Sequence, residues 1–290
     1  MARIDIEYHR FLETILEKGV LEKDPNRVGI RRLGIPNYNM EFNMSEGFPV
    51  LSTKKMWFHG IVGETINCLR GPMDLKYLHA NKIHIWDGDI SNLSYVPHIY
   101  GDVWRNWKNP DGTTTDQLKN IIDKLKTSPK SSDLIIFGDN PSTWSKGIIK
   151  SCMNLMQFSV FNGKLDLSIN YRSWDALLGA PWNIVQYSLI LHIISKITGI
   201  YPGTLYINAR NVHIYEPHLD FVREQLTRDP SKYPDTNLFM SQEFHYMTYQ
   251  VLCKDVSLDT ILAEMRIDMF TLDNYQSYPP IKAEMLAYSN

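Results

Sequence analysis

Two strand-like runs, residues 155–161 and 164–170, flank the dipeptide Asn162-Gly163, and this pattern constrains the fold more than any other feature. Asn-Gly is the strongest two-residue signal for a hairpin, because both central positions of the favoured turn need a positive φ. In the second run Leu165, Leu167 and Ile169 alternate with Asp166, Ser168 and Asn170. Such alternation buries one face of a strand and leaves the other polar. A half-buried antiparallel pair therefore sits near the middle of the chain.

Helical patterns surround it. Residues 5–18 carry Ile6, Phe11, Ile15 and Leu16 on one face and end before Gly19. Residues 59–70 predict a second helix stopped by Gly71-Pro72, and residues 116–126 a third, with Leu118, Ile121, Ile122 and Leu125 aligned. Residues 183–197 are apolar almost all round, as in a helix buried in a core. The segment Gly47-Phe48-Pro49-Val50-Leu51 reads as a turn into a short strand. Strands and helices interleave without regular alternation, which predicts an α+β fold, and no composition break divides residues 1–290, which read as a single domain.

Bulk properties exclude several classes. A net charge of −2 gives no electrostatic reason to expect a nucleic-acid or membrane partner. The three cysteines, Cys68, Cys152 and Cys253, are odd in number and have no metal-ligand spacing, so neither a disulfide framework nor a metal site is expected. The first residues lack the apolar stretch of a signal peptide and no run reaches transmembrane length, so a cytoplasmic setting is expected.

Chemistry concentrates around the hairpin. Cys152 precedes it in Lys150-Ser151-Cys152-Met153-Asn154, and the return strand leads into Tyr171-Arg172-Ser173-Trp174-Asp175. The hairpin can bring Arg172 back beside Cys152, where a cation would favour a thiolate or bind a phosphate. Alone, a cysteine at a strand start is more often a core residue. Asn183 opens the apolar helix pattern, which suits an N-cap, but its amide also matches the N3–H and O4 edge of uracil.

These residues lie within a longer series of short matches. It comprises Gly47-Phe48-Pro49, Thr53-Lys54, Glu64, Leu69-Arg70-Gly71, Tyr77-Leu78-His79, Ile85-Trp86-Asp87, Tyr100-Gly101, Trp104-Arg105, Gln157-Phe158, Gly179-Ala180-Pro181-Trp182-Asn183 and His213-Ile214-Tyr215. In this order they resemble the thymidylate synthase and nucleotide hydroxymethylase family, from Arg27 to about Ala283. The resemblance implies an α+β sandwich with a large mixed sheet at a homodimer interface. It also implies one-carbon transfer from 5,10-methylenetetrahydrofolate to C5 of a pyrimidine nucleoside monophosphate.

It further implies residue roles. Cys152 resembles the thiol that adds to C6, Glu64 the carboxylate that moves protons through water, and Tyr100 the hydroxyl that helps remove the C5 proton. Arg27, Arg172 and Ser173 match phosphate ligands, and Gln157 falls in the nucleotide-binding stretch. Asn183 matches the reader of the base edge, and His213 and Tyr215 the pair on the sugar 3′-hydroxyl. Asp175 and Gly179 match the pterin anchor, Ile85, Trp86, Leu178 and Trp182 the apolar walls, and Lys54 a contact on the glutamate side of the folate.

Four departures point away from an ordinary thymidylate synthase. Met153 stands where the family usually has His, giving a Cys-x-Asn-x-x-Gln pattern closer to phage deoxycytidylate hydroxymethylase. Asp89 replaces a second tryptophan, and the chain ends with a polar Glu284 to Asn290 rather than an apolar tail. The turn Pro129-Lys130-Ser131-Ser132-Asp133 lacks the two arginines that reach a partner's phosphate, leaving Lys130, Arg31 or Arg32 as candidates to compensate. A leakier lid favours addition of water, and hence a 5-hydroxymethyl product, over methylation.

Overall fold

The Asn-Gly hairpin forms as expected and becomes the middle of the sheet. The computed structural model describes residues 3–87, 94–144, 146, 150–253 and 256–286. Strands β1 (Val20–Lys23) and β2 (Arg31–Asn43) come first, followed by two short loop ladders, β3 (Met73–Asp74) with β4 (Tyr95–Val96) and β5 (Trp107–Lys108) with β6 (Thr114–Thr115). Then come β7 (Ile135–Phe137), β8 (Met153–Phe161), β9 (Lys164–Tyr171), β10 (Trp174–Asp175) and β11 (Tyr201–Tyr215). Among the described residues the main sheet runs β1-β2-β11-β9-β8-β7, with β10 added beside β11. Both β9 and β10 run parallel to β11 and the other pairs are antiparallel, so the sheet is mixed. The expected α+β class is what the chain adopts.

Asn162 and Gly163 have φ of 49° and 74°, the left-handed conformations that the turn demands. On β9 Leu165, Leu167, Ile169 and Tyr171 are buried while Asp166, Ser168 and Asn170 are half-exposed. The buried face receives the helix Gly179–Thr198, whose residues 184–191 are all buried. Each fully buried Leu, Ile or Val there contributes roughly 1.5–3 kcal/mol. The helix stops at Gly199, which takes a φ of 74°. The opposite sheet face is polar, with Asn39, Glu41, Tyr206 and Arg210 exposed.

The other predicted helices form at Arg3–Lys18, Phe58–Arg70 and Gln117–Thr127, the last capped by the Asp116 carboxylate on the Lys119 amide. One expectation fails. Residues 47–51 make no strand, because their backbone groups are engaged elsewhere: the Phe48 amide donates to the Thr236 carbonyl at 2.7 Å. The next residues are tied to the first helix, since buried Asp5 accepts from both the amides and the hydroxyls of Ser52 and Thr53. No helix among the described residues is long and apolar enough to cross a membrane.

Gly101 marks the tightest approach near the site. It opens the short helix Gly101–Arg105, and a Cβ there would lie 2.0 Å from the Gly71 carbonyl oxygen and 2.2 Å from that of Cys68. Neither oxygen can swing aside as a side chain would. A Gly101→Ala variant is expected to lose about 1–3 kcal/mol of stability, read as a lower urea midpoint with an unchanged slope.

Candidate active site

The hairpin fixes the position of Cys152. Met153 lies opposite Tyr171 in the ladder, and the Arg172 amide donates to the Cys152 carbonyl at 2.9 Å. The Arg172 guanidinium folds back over the same segment, donating to the carbonyls of Ser151 at 2.8 Å and Lys150 at 2.9 Å. Burial pushes the Cys152 thiol above its ordinary pKa; Arg172 and Arg27 pull it down, and Asp175 and Asp139 push it up. The cationic neighbours expected from the sequence are present, but burial outweighs them. The resting group is the thiol.

Glu64 lies on the helix Phe58–Arg70, where an amphipathic reading would point a carboxylate to solvent. Instead it is buried and accepts three hydrogen bonds. Trp86 Nε1 donates to Oε1 at 2.8 Å, while Trp182 Nε1 and Gln186 Nε2 donate to Oε2 at 2.6 Å and 3.0 Å. Burial raises the Glu64 pKa and the three donors moderate the rise. Sequence reasoning missed Gln186. Its signal was the spacing, one helical turn after Asn183 and four residues after Trp182.

Tyr100 takes an uncommon φ of 45° immediately before Gly101. Its ring meets Trp86 edge-on at 6.1 Å and Trp104 at 6.3 Å. Burial first, then the neighbouring Cys152, Tyr187, Glu64 and Cys68, keep its phenol pKa well above the usual value, so it acts as an O–H donor. The residue after Trp86 is tied down in turn: Asp87 contacts His79 Nε2 at 2.6 Å and His84 Nδ1 at 2.8 Å, and the two imidazoles stack at 5.0 Å. These three residues are the one group of metal-ligand type among the described residues, and Asp87 is already shared by both rings.

Asn183 is inside its helix, which begins at Gly179, so the N-cap reading is excluded. Its Oδ1 accepts from Trp174 Nε1 at 3.2 Å and its Nδ2 donates to Gln186 Oε1 at 3.4 Å. The helix start is served instead by Asp175, which accepts from the amides of Leu177, Leu178 and Gly179. Ile85, Trp86, Leu178 and Trp182 are half-buried against the core, a broken apolar wall beside Glu64 and Asp175.

Strand β10 sets Asp175 beside His213 on β11. His213 Nδ1 contacts the Asn211 carbonyl at 2.9 Å, which makes its buried Nε2 an acceptor, and that atom has no partner among the described residues. Burial lowers the His213 pKa against the pull of Asp175, so the ring is held neutral. The Tyr215 ring meets His213 at 4.8 Å and lies under the Arg27 guanidinium at 4.5 Å. Arg27 also donates through Nε to the Leu286 carbonyl of the C-terminal tail at 2.9 Å. Ser173 Oγ accepts weakly from Asn211 at 3.5 Å.

Two expected residues do not join this group. Gln157 faces Ile135 across β7 and β8, and donates to the Ser132 carbonyl at 3.1 Å. Lys54 is buried under the Asp175 loop, with its ammonium on the Leu177 carbonyl, rather than presented at a ligand surface. Of the cations named to compensate for the missing arginine pair, Arg31 is engaged by Glu216, Arg32 lies 3.4 Å from Asp24, and Lys130 is exposed. Asp89 and residues 287–290 lie outside the described residues.

Burial lowers the Lys54 pKa from 10.5 to about 7, with Asp175 opposing the shift and Arg228 adding to it. Between those pH values the unfolded chain binds a proton that the folded chain does not. The contribution of Lys54 to stability therefore rises as pH increases through that window and is flat below it. Urea unfolding from about pH 7 to about pH 9 should show wild type gaining stability relative to Lys54→Met.

With this geometry in view, comparison with known proteins is specific. The family model described as Thymidylate synthase matches residues 6–287. A relative named thymidylate synthase, from Corynebacterium aurimucosum, is 32% identical over 282 residues, covering 97% of this chain and 98% of its own length. The chain belongs to the thymidylate synthase family, the enzymes that carry one carbon from 5,10-methylenetetrahydrofolate to C5 of a pyrimidine nucleotide.

Proposed function

We propose that this enzyme finishes the transfer by adding water, giving a 5-hydroxymethylpyrimidine nucleoside monophosphate. The observation that carries this reading is the C-terminal segment. Lys282, Glu284 and Met285 are exposed, and the segment is pinned by polar contacts: the Leu286 carbonyl to Arg27 and the Glu284 carbonyl to His218 at 2.9 Å. A polar cover of this kind excludes water poorly. Met153 adds to the case, since the position after the nucleophile is filled by a fully buried thioether with no proton to exchange.

The residues fit a stacked pterin: half-buried Ile85, Trp86, Leu178 and Trp182 offer flat apolar surface, with the Asp175 carboxylate and the Gly179 amide at its edge. Bound methylenetetrahydrofolate supplies a one-carbon unit at the formaldehyde oxidation level. Cys152 Sγ gives up its proton and adds to C6 of the pyrimidine, which makes C5 nucleophilic. Tyr100 assists loss of the C5 proton once the new carbon is attached, the carbon–nitrogen bond to the folate breaks so that tetrahydrofolate leaves and an exocyclic methylene remains on C5, and Glu64 relays protons through water. Water then adds to the exocyclic methylene, and elimination of Cys152 restores the ring. Arg27, Arg172 and Ser173 hold the phosphate, and His213 Nε2 and Tyr215 receive the sugar hydroxyl. A homodimer through the polar outer face of the sheet completes the reading.

Methylation of dUMP is the competing reading, favoured by the name of the Corynebacterium relative. It consumes a hydride and leaves dihydrofolate, whereas hydroxymethylation returns tetrahydrofolate. Mass spectrometry after incubation with UMP, dUMP, CMP or dCMP and methylenetetrahydrofolate should show a hydroxymethyl gain without the absorbance of dihydrofolate. A methyl product with stoichiometric dihydrofolate would reverse the assignment. Cys152→Ser should lose about 10³-fold or more in kcat, and Glu64→Gln about 10²–10⁴-fold, with folding retained by circular dichroism.

A further inference from the structure

We propose that Trp174 selects the base, by holding the Asn183 amide in the one orientation that accepts uracil and refuses cytosine. The inference rests on the reading above, in which C6 meets Cys152, and adds that C5 is turned towards Glu64, the group that relays protons.

Four side chains form a directed hydrogen-bond chain. Trp174 Nε1 donates to Asn183 Oδ1 at 3.2 Å, Asn183 Nδ2 to Gln186 Oε1 at 3.4 Å, and Gln186 Nε2 to Glu64 Oε2 at 3.0 Å. The two ends allow only this direction. An indole N–H can only donate, and the Glu64 carboxylate is surrounded by donors, with Trp86 and Trp182 on its two oxygens. Turning the Asn183 amide over would set its hydrogens against the indole N–H and its oxygen against Gln186 Oε1. Gln186 cannot follow, because its own oxygen would then face the carboxylate.

The indole has no room to withdraw. Trp174 is 1% exposed, stacked on Tyr171 at 5.3 Å and packed against Phe11 at 5.4 Å. The Asn183 oxygen is thus fixed on the Trp174 side and its amino group on the Gln186–Glu64 side.

A pyrimidine with C5 towards Glu64 places its C4 substituent on that same side, because C4 is bonded to C5. The Asn183 amino group then meets the C4 substituent and its oxygen meets N3. Uracil supplies O4 as acceptor and N3–H as donor, and both bonds form. Cytosine supplies an amino group and an unprotonated N3, and both positions clash in kind. Asn183 alone reads either base by turning over; Trp174 removes the choice.

Equilibrium binding of UMP, dUMP, CMP and dCMP to the full chain, without folate, tests this directly. Wild type should bind the uracil nucleotides about a hundredfold or more tightly than the cytosine nucleotides, as expected when a site's polar groups are left opposed. Trp174→Phe keeps an aromatic ring and removes the N–H together with the pyrrole half of the indole. It should narrow that ratio about tenfold, chiefly by improving cytosine binding. Gln186→Met frees the other end of the chain and should narrow the ratio in the same sense, so the test survives failure of either variant to fold. A residue with only a structural role would weaken both bases equally. Equal binding of the two bases by wild type, or a ratio unmoved in both variants, overturns the assignment and leaves the one-carbon reading standing. No binding of any pyrimidine nucleotide overturns both.

Discussion

A buried carboxylate that must find donors organises this protein. Glu64 is nearly sealed from solvent, and an isolated charge there would be costly. Its three N–H partners come from two separate parts of the chain: Trp86 after the Leu75–Ala80 helix, and Trp182 and Gln186 from the helix on the sheet. Satisfying one side chain therefore sets the distance between the Phe58–Arg70 helix, the Trp86 turn and the sheet-packed helix. The same three contacts shape the wall beside which Asp175 and Asn183 are displayed. Structure and chemistry share one constraint.

The electrostatics follow from the same dryness. Burial is the leading cause that raises the pKa of Cys152, Tyr100 and Glu64 and lowers that of His213 and Lys54. Every one of these shifts favours the neutral form. The permanent charges of Arg27 and Arg172 are engaged by tail and loop carbonyls at the edge of the site. Such a centre suits proton transfers coupled to addition at an uncharged ring, because buried titratable groups with shifted pKa values are the usual acids and bases of a site.

Local signals were legible where a single element decides the outcome. Asn162-Gly163 specifies its turn through backbone conformation alone, and the alternation of Leu165, Leu167 and Ile169 specifies which face is covered. Legibility fell where the deciding partner is distant in sequence. Residues 47–51 look like a strand until Thr236 takes the Phe48 amide. Lys54 looks like a surface ligand until the Asp175 loop is placed over it. Gln157 shares its neighbourhood in sequence with Cys152, yet the pleat carries it along the hairpin to Ser132. Gln186 had only its spacing from Trp182 and Asn183 to mark it, a signal that gains meaning once the Glu64 carboxylate arrives opposite it.

The turn at residues 129–133 bears on the proposed phosphate site. Asp133 is gripped by Lys124 and Ser131, which hold its carboxyl at about 2, so it is charged at any physiological pH. In the proposed dimer, this turn offers exposed Lys130 beside Ser132 and an Asp133 carboxylate already paired with Lys124, a weaker draw for a partner's phosphate than two guanidiniums. The nucleotide's charge then falls to Arg27 and Arg172 of its own chain. Arg27 also carries the tail through Leu286, so phosphate and tail meet on one guanidinium. A tail that shares its anchor with the substrate cannot tighten independently of it, which suits a site that admits water at the last step.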